Sequence, residues 1–154
     1  MRQGRRIALD IGKARIGVAI SDQYAIISSP QPYISRDENS VETVRSMIDA
    51  NSAIGVFIGL PLNLHSKITE STNDCLTFAR QLQDKVSIEV RLVDERFTTT
   101  LASDSLRRAG KNSRDQKEFI DSAAAAVILD TALNHEKATG LAAGIRVMDF
   151  GDEV

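Results

Sequence analysis

The sequence predicts an α/β fold, a mixed β-sheet with helices on both faces. Three observations carry that prediction. Two β-prone runs, Arg6 to Ile11 and Arg15 to Ser21, flank a Gly12-Lys13-Ala14 turn and read as an antiparallel hairpin. An unbroken apolar run, Ala53 to Leu60, lacks the alternation of a half-exposed strand and ends at Pro61, which suits a central strand covered on both faces. From about Asn39 onward, stretches of helical spacing alternate with stretches of strand character, the pattern that lays helices across a partly parallel sheet.

The elements follow in order. Pro30 and Pro32 are expected to punctuate a loop after the hairpin, before a short Tyr33-Ile34 strand. Between about Asn39 and Asn51, Val41, Val44, Met47 and Ile48 fall at helical spacing and predict a first helix. A second is predicted from Thr69 to Lys85, with Cys75, Phe78, Ala79 and Leu82 on its apolar stripe. Val86 to Val93 reads as a strand, Ile88, Val90 and Leu92 alternating with Glu89 and Arg91. Thr98 or Thr99 can cap a helix through about Arg108 that Gly110 ends. A last, alanine-rich helix is predicted from about Asp115 to His135, halted near Gly140. Residues 139–154 are expected to form a tail or an appended edge segment after a domain spanning 1–138.

At 154 residues the chain fits one domain, able to bury roughly 70% of its unfolded surface. Hydrophobic and charged contents of 42% and 26% argue against disorder, and the 5% aromatic content without Trp predicts an aliphatic core. The single cysteine, Cys75, excludes an internal disulfide framework and a cysteine-based zinc site, and fits a reducing cytoplasm. Arg2, Arg5 and Arg6 precede an apolar run that Asp10 and Lys13 break, so neither a signal peptide nor a membrane span is expected. A net charge of −2 gives no global attraction to nucleic acid, and affinity for a polyanion must come from local patches.

The chemistry lies in scattered carboxylates. Asp10 ends the first apolar run, Asp94 and Glu95 end another, and Asp121 opens the alanine-rich helix on a stripe with Ala124, Ala125, Ile128 and Ala132. Such groups can converge only through folding, and without Cys or His partners they suit hard divalent cations such as Mg2+. Each has a plainer role when taken singly: a turn aspartate for Asp10, a partner of the helix dipole for Asp121. Strand alternation sends Asp94 and Glu95 to opposite faces, Asp94 with Val90 and Leu92, Glu95 with Arg91 and Val93; with both faces covered, periodicity leaves the choice open. Lys13 and Arg15 flank Asp10 closely enough to neutralise a phosphate. Arg107, Arg108, Lys111, Arg114 and Lys117 form the densest basic stretch and could track a phosphate backbone. His65 and His135 have no Ser or Cys partner at a motif spacing, so a catalytic triad is not expected.

Four blocks of the sequence resemble the signature of the YqgF/RuvX family: Ala8-Leu9-Asp10-Ile11-Gly12-Lys13-Ala14-Arg15-Ile16-Gly17-Val18-Ala19-Ile20-Ser21-Asp22, Gly59-Leu60-Pro61-Leu62-Asn63, Asp94-Glu95-Arg96-Phe97-Thr98-Thr99 and Asp121-Ser122-Ala123-Ala124. They stand in the family's order, and the resemblance runs from roughly Arg5 to Leu133. The family is described as pre-16S rRNA nucleases, formerly as Holliday-junction resolvase homologues, with a ribonuclease H-like fold. The resemblance therefore implies a five-stranded mixed sheet of order 3-2-1-4-5 and a metal-dependent nuclease. Asp10, Glu95 and Asp121 would be its catalytic residues, holding one or two Mg2+ or Mn2+ ions. The resemblance favours Glu95 over Asp94, which becomes a supporting or capping group. Arg96 reads as a phosphate contact or a partner of Asp94, and Asn63 as an orienting amide or a turn cap. In that sheet order Asp10 and Glu95 stand two strands apart, roughly 10 Å, so the loop carrying Glu95 must turn inward. The family's Gly-Leu-Pro-Leu-Asn block commonly continues to Asp-Gly two residues beyond the Asn; this chain has His65-Ser66 there, a departure that bears on the shape of that loop.

The partners implied are structured RNA of 16S rRNA maturation, with branched DNA as the alternative substrate, and ribosomal particles. A cytoplasmic monomer or weak homodimer without membrane contact is expected. Two competing roles remain open on the sequence: a non-catalytic RNA-binding assembly factor, and nucleotide binding, because Asp10-Ile11-Gly12 also resembles the phosphate loop of actin-like ATPases.

Overall fold

A computed structural model of the chain describes residues 1–62, 67–94 and 113–150, the stretch 113–121 by its backbone alone. The predicted hairpin is β1 (Arg6–Ile11) and β2 (Arg15–Ser21), antiparallel and paired from Ile7 with Ile20 to Ile11 with Ile16. β3 (Ser28–Ser35) continues the meander and holds both Pro30 and Pro32, so the expected loop and short strand are one strand of 8 residues. Proline is tolerated there because β3 forms the edge of the sheet, where a missing N–H costs no ladder bond.

α1 (Ser40–Asn51) leads to β4 (Gly55–Leu60), α2 (Glu70–Lys85) leads to β5 (Glu89–Asp94), and α3 (Ser113–Thr139) precedes β6 (Ile145–Arg146). The predicted Thr98–Arg108 helix lies outside the described residues. β1, β4 and β5 run parallel, β6 closes antiparallel on β5, and the order is β3-β2-β1-β4-β5-β6. The expected order 3-2-1-4-5 is present, but the sheet has six strands, because the C-terminal segment adds an edge. Gly144 permits the approach: its φ is 76°, and a Cβ there would stand 2.1 Å from the Leu92 carbonyl oxygen. Arg91 then holds the segment, donating from Nε to the Ala143 carbonyl at 2.7 Å and from Nη2 to that of Gly144 at 2.8 Å.

Local chemistry sets the helix ends. α1 stops at Ser52, which adopts a left-handed conformation, and α2 starts with a capping box formed by Thr69 and Thr72. α3 stops at Gly140, whose N–H reaches the Glu136 carbonyl at 2.7 Å. Among the described residues no helix is long and apolar enough to cross a membrane.

Strand alternation divides the core in two. Ile7, Leu9, Ile58, Val90 and Leu92 face α1 and α2 and pack on Val44, Ile48, Phe78 and Leu82. Ala8, Ala19, Phe57 and Val93 face α3 and pack on Ala125, Ile128, Leu129 and Ala132. Alanines on both sides of this second layer let α3 lie close to β1 and β2.

Two polar anchors fix α3 along the sheet. Near its C-terminal end the buried Glu136 carboxylate accepts from Arg6 and from Arg2, the latter at 2.6 Å. Arg6 is itself fully buried on β1, and its Nη1 also donates to the Gly4 carbonyl at 2.9 Å. Burial drives the Arg6 guanidinium below its ordinary pKa, against the pull of Glu136. Burial also pushes Glu136 up, but the Arg2 hydrogen bond and the charges of Arg6 and Arg2 outweigh it and hold the carboxyl below the usual range. Nearer the start of α3, Ser122 Oγ accepts from the Val18 N–H at 3.3 Å and donates to the Gln31 carbonyl. It bridges β2 and β3 where their pairing shifts between Ile16 and Val18, supplying partners at the irregularity in the ladder.

Glu136→Gln leaves the buried Arg6 cation without its counter-charge and is expected to cost about 3–5 kcal/mol of unfolding free energy in urea titrations. Because the Glu136 pKa is depressed in the folded chain, its stabilisation is complete above the unfolded value, about 4.3, and is lost as pH falls through the folded value. Urea titrations between about pH 6 and about pH 3 should show that slope in the wild type and less of it in Glu136→Gln. Ser122→Ala orphans the Val18 N–H and the Gln31 carbonyl and is expected to cost about 1–3 kcal/mol by the same measurement; an unchanged midpoint would contradict the anchor.

Candidate active site

Asp10 is the next-to-last residue of β1, half-buried, and pairs with Gly17 on β2. On its other side Leu9 pairs with Ile58, which makes Gly59 the next residue of β4 alongside Asp10. The residues directly beside Asp10 on both neighbouring strands are therefore glycines. Alternation from Ala8, which belongs to the α3-side core, puts Asp10 on the face that α3 covers. The sequence blocks held both glycines, but only strand register shows that they flank the same aspartate.

The Ser122 anchor brings α3 to this end of the sheet. Ser122 contacts Val18, the residue after the glycine that pairs with Asp10, and Asp121 immediately precedes Ser122 in the helix. The backbone at 121 thus reaches the Asp10 end of the hairpin, while the Asp121 side chain lies outside the described residues. In the sequence Ser122 reads as an ordinary helical serine. Its place beside Asp121 in the fourth block was the available signal.

Asp94 is half-buried at the end of β5 and pairs with Leu60, a member of the α1 and α2 core. Its neighbour Val93 belongs to the α3-side core, so Asp94 takes the sheet face opposite to Asp10. β1 and β5 are separated by β4, the two-strand step of roughly 10 Å that the expected order requires. Asn63, Glu95, Arg96, Arg107, Arg108 and Lys111 lie outside the described residues; Arg114 stands in the first turn of α3, described by its backbone.

The turn after Asp10 is tight. The Gly12 N–H bonds the Arg15 carbonyl at 2.8 Å, and a Cβ on Gly12 would stand 2.7 Å from that same oxygen, so the turn requires glycine. Lys13 is exposed at the tip, and the Arg15 guanidinium lies 5.1 Å from the centre of the Tyr33 ring. A carboxylate with bare backbone on either side and two cations on the adjoining turn can share a cation and a phosphate. Among the described residues no group of three His, Cys, Asp or Glu side chains could hold a metal ion; two of the three expected ligands, Glu95 and Asp121, have side chains outside that set.

Comparisons with known proteins bear on the family and the fold of the chain. A family model described as "RuvX: Holliday junction resolvase" matches residues 4–135. A protein of Clavibacter sepedonicus named "Putative pre-16S rRNA nuclease" is 44% identical over 150 residues, covering 96% of this chain and 93% of the relative. One of the same name from Mycobacteroides abscessus is 40% identical over 142 residues, 90% of this chain and 86% of that one. Among solved structures, T. thermophilus RuvC in complex with a Holliday junction substrate superposes with a TM-score of 0.58 at 10% identity, covering 88% of this chain and 97% of RuvC. The human cytomegalovirus terminase nuclease domain gives a TM-score of 0.51 at 13% identity, over 84% of this chain and 83% of that domain. These two likenesses concern the fold, and they give the six-stranded sheet the RuvC-like, ribonuclease H-like architecture. By the family model and by its relatives over nearly its whole length, the chain belongs to the RuvX family.

Proposed function

We propose that the protein is a metal-dependent nuclease that hydrolyses phosphodiester bonds of precursor 16S rRNA, in maturation of its 5′ end in the cytoplasm. The observation that carries this reading is Asp10, set at the end of a central strand between Gly17 and Gly59, in a chain whose relatives are named as nucleases of that RNA. Its substrate is structured RNA, free or on a ribosomal particle, and the protein works as a monomer or weak homodimer.

The donor set fits a hard divalent ion. Asp10, Glu95 and Asp121 offer carboxylate oxygens alone, the chemistry that selects Mg2+ or Mn2+ over softer metals. Register supports Glu95 over Asp94 as the third ligand, because Asp94 follows Leu92 on the face opposite to Asp10. Asp94 then serves as a supporting group from the other side of the sheet, and Asn63 as an orienting amide. When bound, such ions polarise the phosphate and lower the pKa of the attacking water.

The chain's own residues bind and orient. Gly17 and Gly59, directly beside Asp10 on the two neighbouring strands, leave room for a phosphate at its carboxylate. Lys13 and Arg15, on the turn directly after Asp10, neutralise phosphates next to the scissile one. Arg96, Arg107, Arg108, Lys111 and Arg114 extend that positive path along the nucleic-acid backbone, so binding is salt-dependent and carries little sequence preference.

The test is cleavage of a precursor 16S rRNA fragment beside a four-way DNA junction, with Mn2+ supplied. Asp10→Asn is expected to lower kcat on the order of a hundredfold or more while leaving the fold intact by circular dichroism. Chelation should stop the wild-type reaction, and added Mg2+ or Mn2+ restore it. Unchanged cleavage by Asp10→Asn would remove Asp10 from the site; cleavage of the junction alone would move the substrate to DNA. Binding of the RNA without cleavage would leave an assembly factor.

A further inference from the structure

Arg36, the residue after β3, holds the turn of the catalytic hairpin from outside. Its backbone N–H donates to the Ala14 carbonyl at 2.9 Å, and its Nη1 donates to the Gly12 carbonyl at 2.9 Å. The same guanidinium makes a two-pronged bond to Asp74 on α2, Nη1 to Oδ2 at 3.0 Å and Nη2 to Oδ1 at 2.8 Å. Its Cζ lies 5.3 Å from the centre of the Phe78 ring, one helical turn further along α2. Both carbonyls that bracket Lys13 are thus tied to one residue, which is tied in turn to a helix in the core. The hydrogen bond and charge of Arg36 hold the Asp74 carboxyl below the usual range, so the pair is ionised at neutral pH.

Lys13 opens with Arg36, Asp37, Glu70 and Asp74 onto a surface cavity of ≈ 460 Å³. The charge there argues against a direct phosphate seat. Three carboxylates face Lys13 and an arginine that Asp74 already engages at both prongs. What the arrangement supplies is rigidity. A lysine at the tip of a short turn loses orientation freely, and each degree of freedom lost on binding lowers affinity.

We propose that the Arg36–Asp74 pair is a positioning clamp that fixes the β1–β2 turn against α2, so that Lys13 is presented to a substrate phosphate beside Asp10. The proposal rests on the nuclease reading for its substrate and on the turn geometry for its mechanism. Asp74 gives it a distinctive signature. By charge alone, a carboxylate near a phosphate-binding lysine weakens substrate binding, whereas through the clamp it strengthens it. The two effects have opposite signs in Asp74→Asn.

The experiment measures steady-state cleavage of the precursor 16S rRNA fragment at several salt concentrations for the wild type, Lys13→Ala, Asp74→Asn and the double variant. Asp74→Asn is expected to raise KM on the order of fivefold with kcat close to wild type, the scale of one charge-assisted contact. It should also reduce the slope of log KM against log salt by roughly 0.7–0.9, the value of one phosphate contact. Lys13→Ala should do the same, and the double variant no more than Lys13→Ala alone. A KM that falls or stays level in Asp74→Asn, or losses that add in the double variant, would overturn the clamp. Limited trypsin digestion gives a readout that needs no nuclease activity. Cutting after Lys13 should be faster in Arg36→Ala and Asp74→Asn than in the wild type, at matched fractions below the melting temperature. Unchanged cutting would refute the clamp whatever the RNA assay finds. Faster cutting in a protein that cleaves no RNA would remove the nuclease reading and the phosphate role with it.

Discussion

The site end of this molecule depends on where α3 lies along the sheet, and the buried Arg6–Glu136 pair is what makes that position discrete. The layer between α3 and the strands is rich in alanine, Ala8, Ala19, Ala125 and Ala132, with Phe57 and a few branched residues. Small side chains permit close approach but give little resistance to sliding. A slip of one helical turn would move any residue of α3 by about 5.4 Å, enough to carry the backbone at 121 away from the Asp10 end of the hairpin. The ion pair forbids that slip, because it would leave a fully buried guanidinium facing apolar side chains. Ser122 does the same for the other half of the helix with a neutral group. The stretch from Ser122 to Glu136 spans roughly 21 Å at 1.5 Å per residue, so the two anchors fix translation and tilt together.

The same division of labour runs across the sheet. The α1 and α2 side is aliphatic and well filled, with Ile7, Leu9 and Ile58 against Phe78 and Leu82. Its single cysteine, Cys75, is buried there. The α3 side carries two charges of β1: Arg6 at one end, Asp10 near the other, four residues apart on the same face. Arg6 finds its counter-charge on α3. Asp10 stands between Gly17 and Gly59 of the neighbouring strands. The strand thus locks one charge into the helix above it and sets the other beside two glycines of the neighbouring strands.

Much of this was legible in the sequence, for identifiable reasons. The hairpin, the apolar run of β4 and the periodicity of α1 and α2 are local patterns, and the strand order followed from them and from the family blocks. The strand at Tyr33-Ile34 was read, but its extent as β3 was hidden by the prolines, which signal a loop unless the strand is known to lie at an edge, and edge position is a property of the whole sheet. The sequence left a tail and an appended edge both open for the last segment, because β6 is only 2 residues long; its signal is Gly144, whose need for a left-handed backbone appears only when Leu92 lies beside it. At the site, Asp10 was visible as a charge ending an apolar strand. Its flanking glycines, the Ser122 bridge and the Arg36–Asp74 pair were not, because each joins residues far apart in the chain: 38 positions separate Arg36 from Asp74 and 104 separate Val18 from Ser122.

The choice between Asp94 and Glu95 shows how a register converts an ambiguity into an argument. In the sequence, alternation said only that the two carboxylates point to opposite faces of a sheet covered on both. Neither face was marked as the one that Asp10 uses. The pairing of β4 with β5 marks it, since Leu60 and Asp94 stand together while Val93 packs with the helix above Asp10. Family resemblance had favoured Glu95 from motif position alone, a line of reasoning that uses no coordinates. Strand parity uses no motif. The proposed assignment thus has motif position in favour of Glu95 and, independently, strand parity against Asp94, which stands on the sheet face opposite to Asp10.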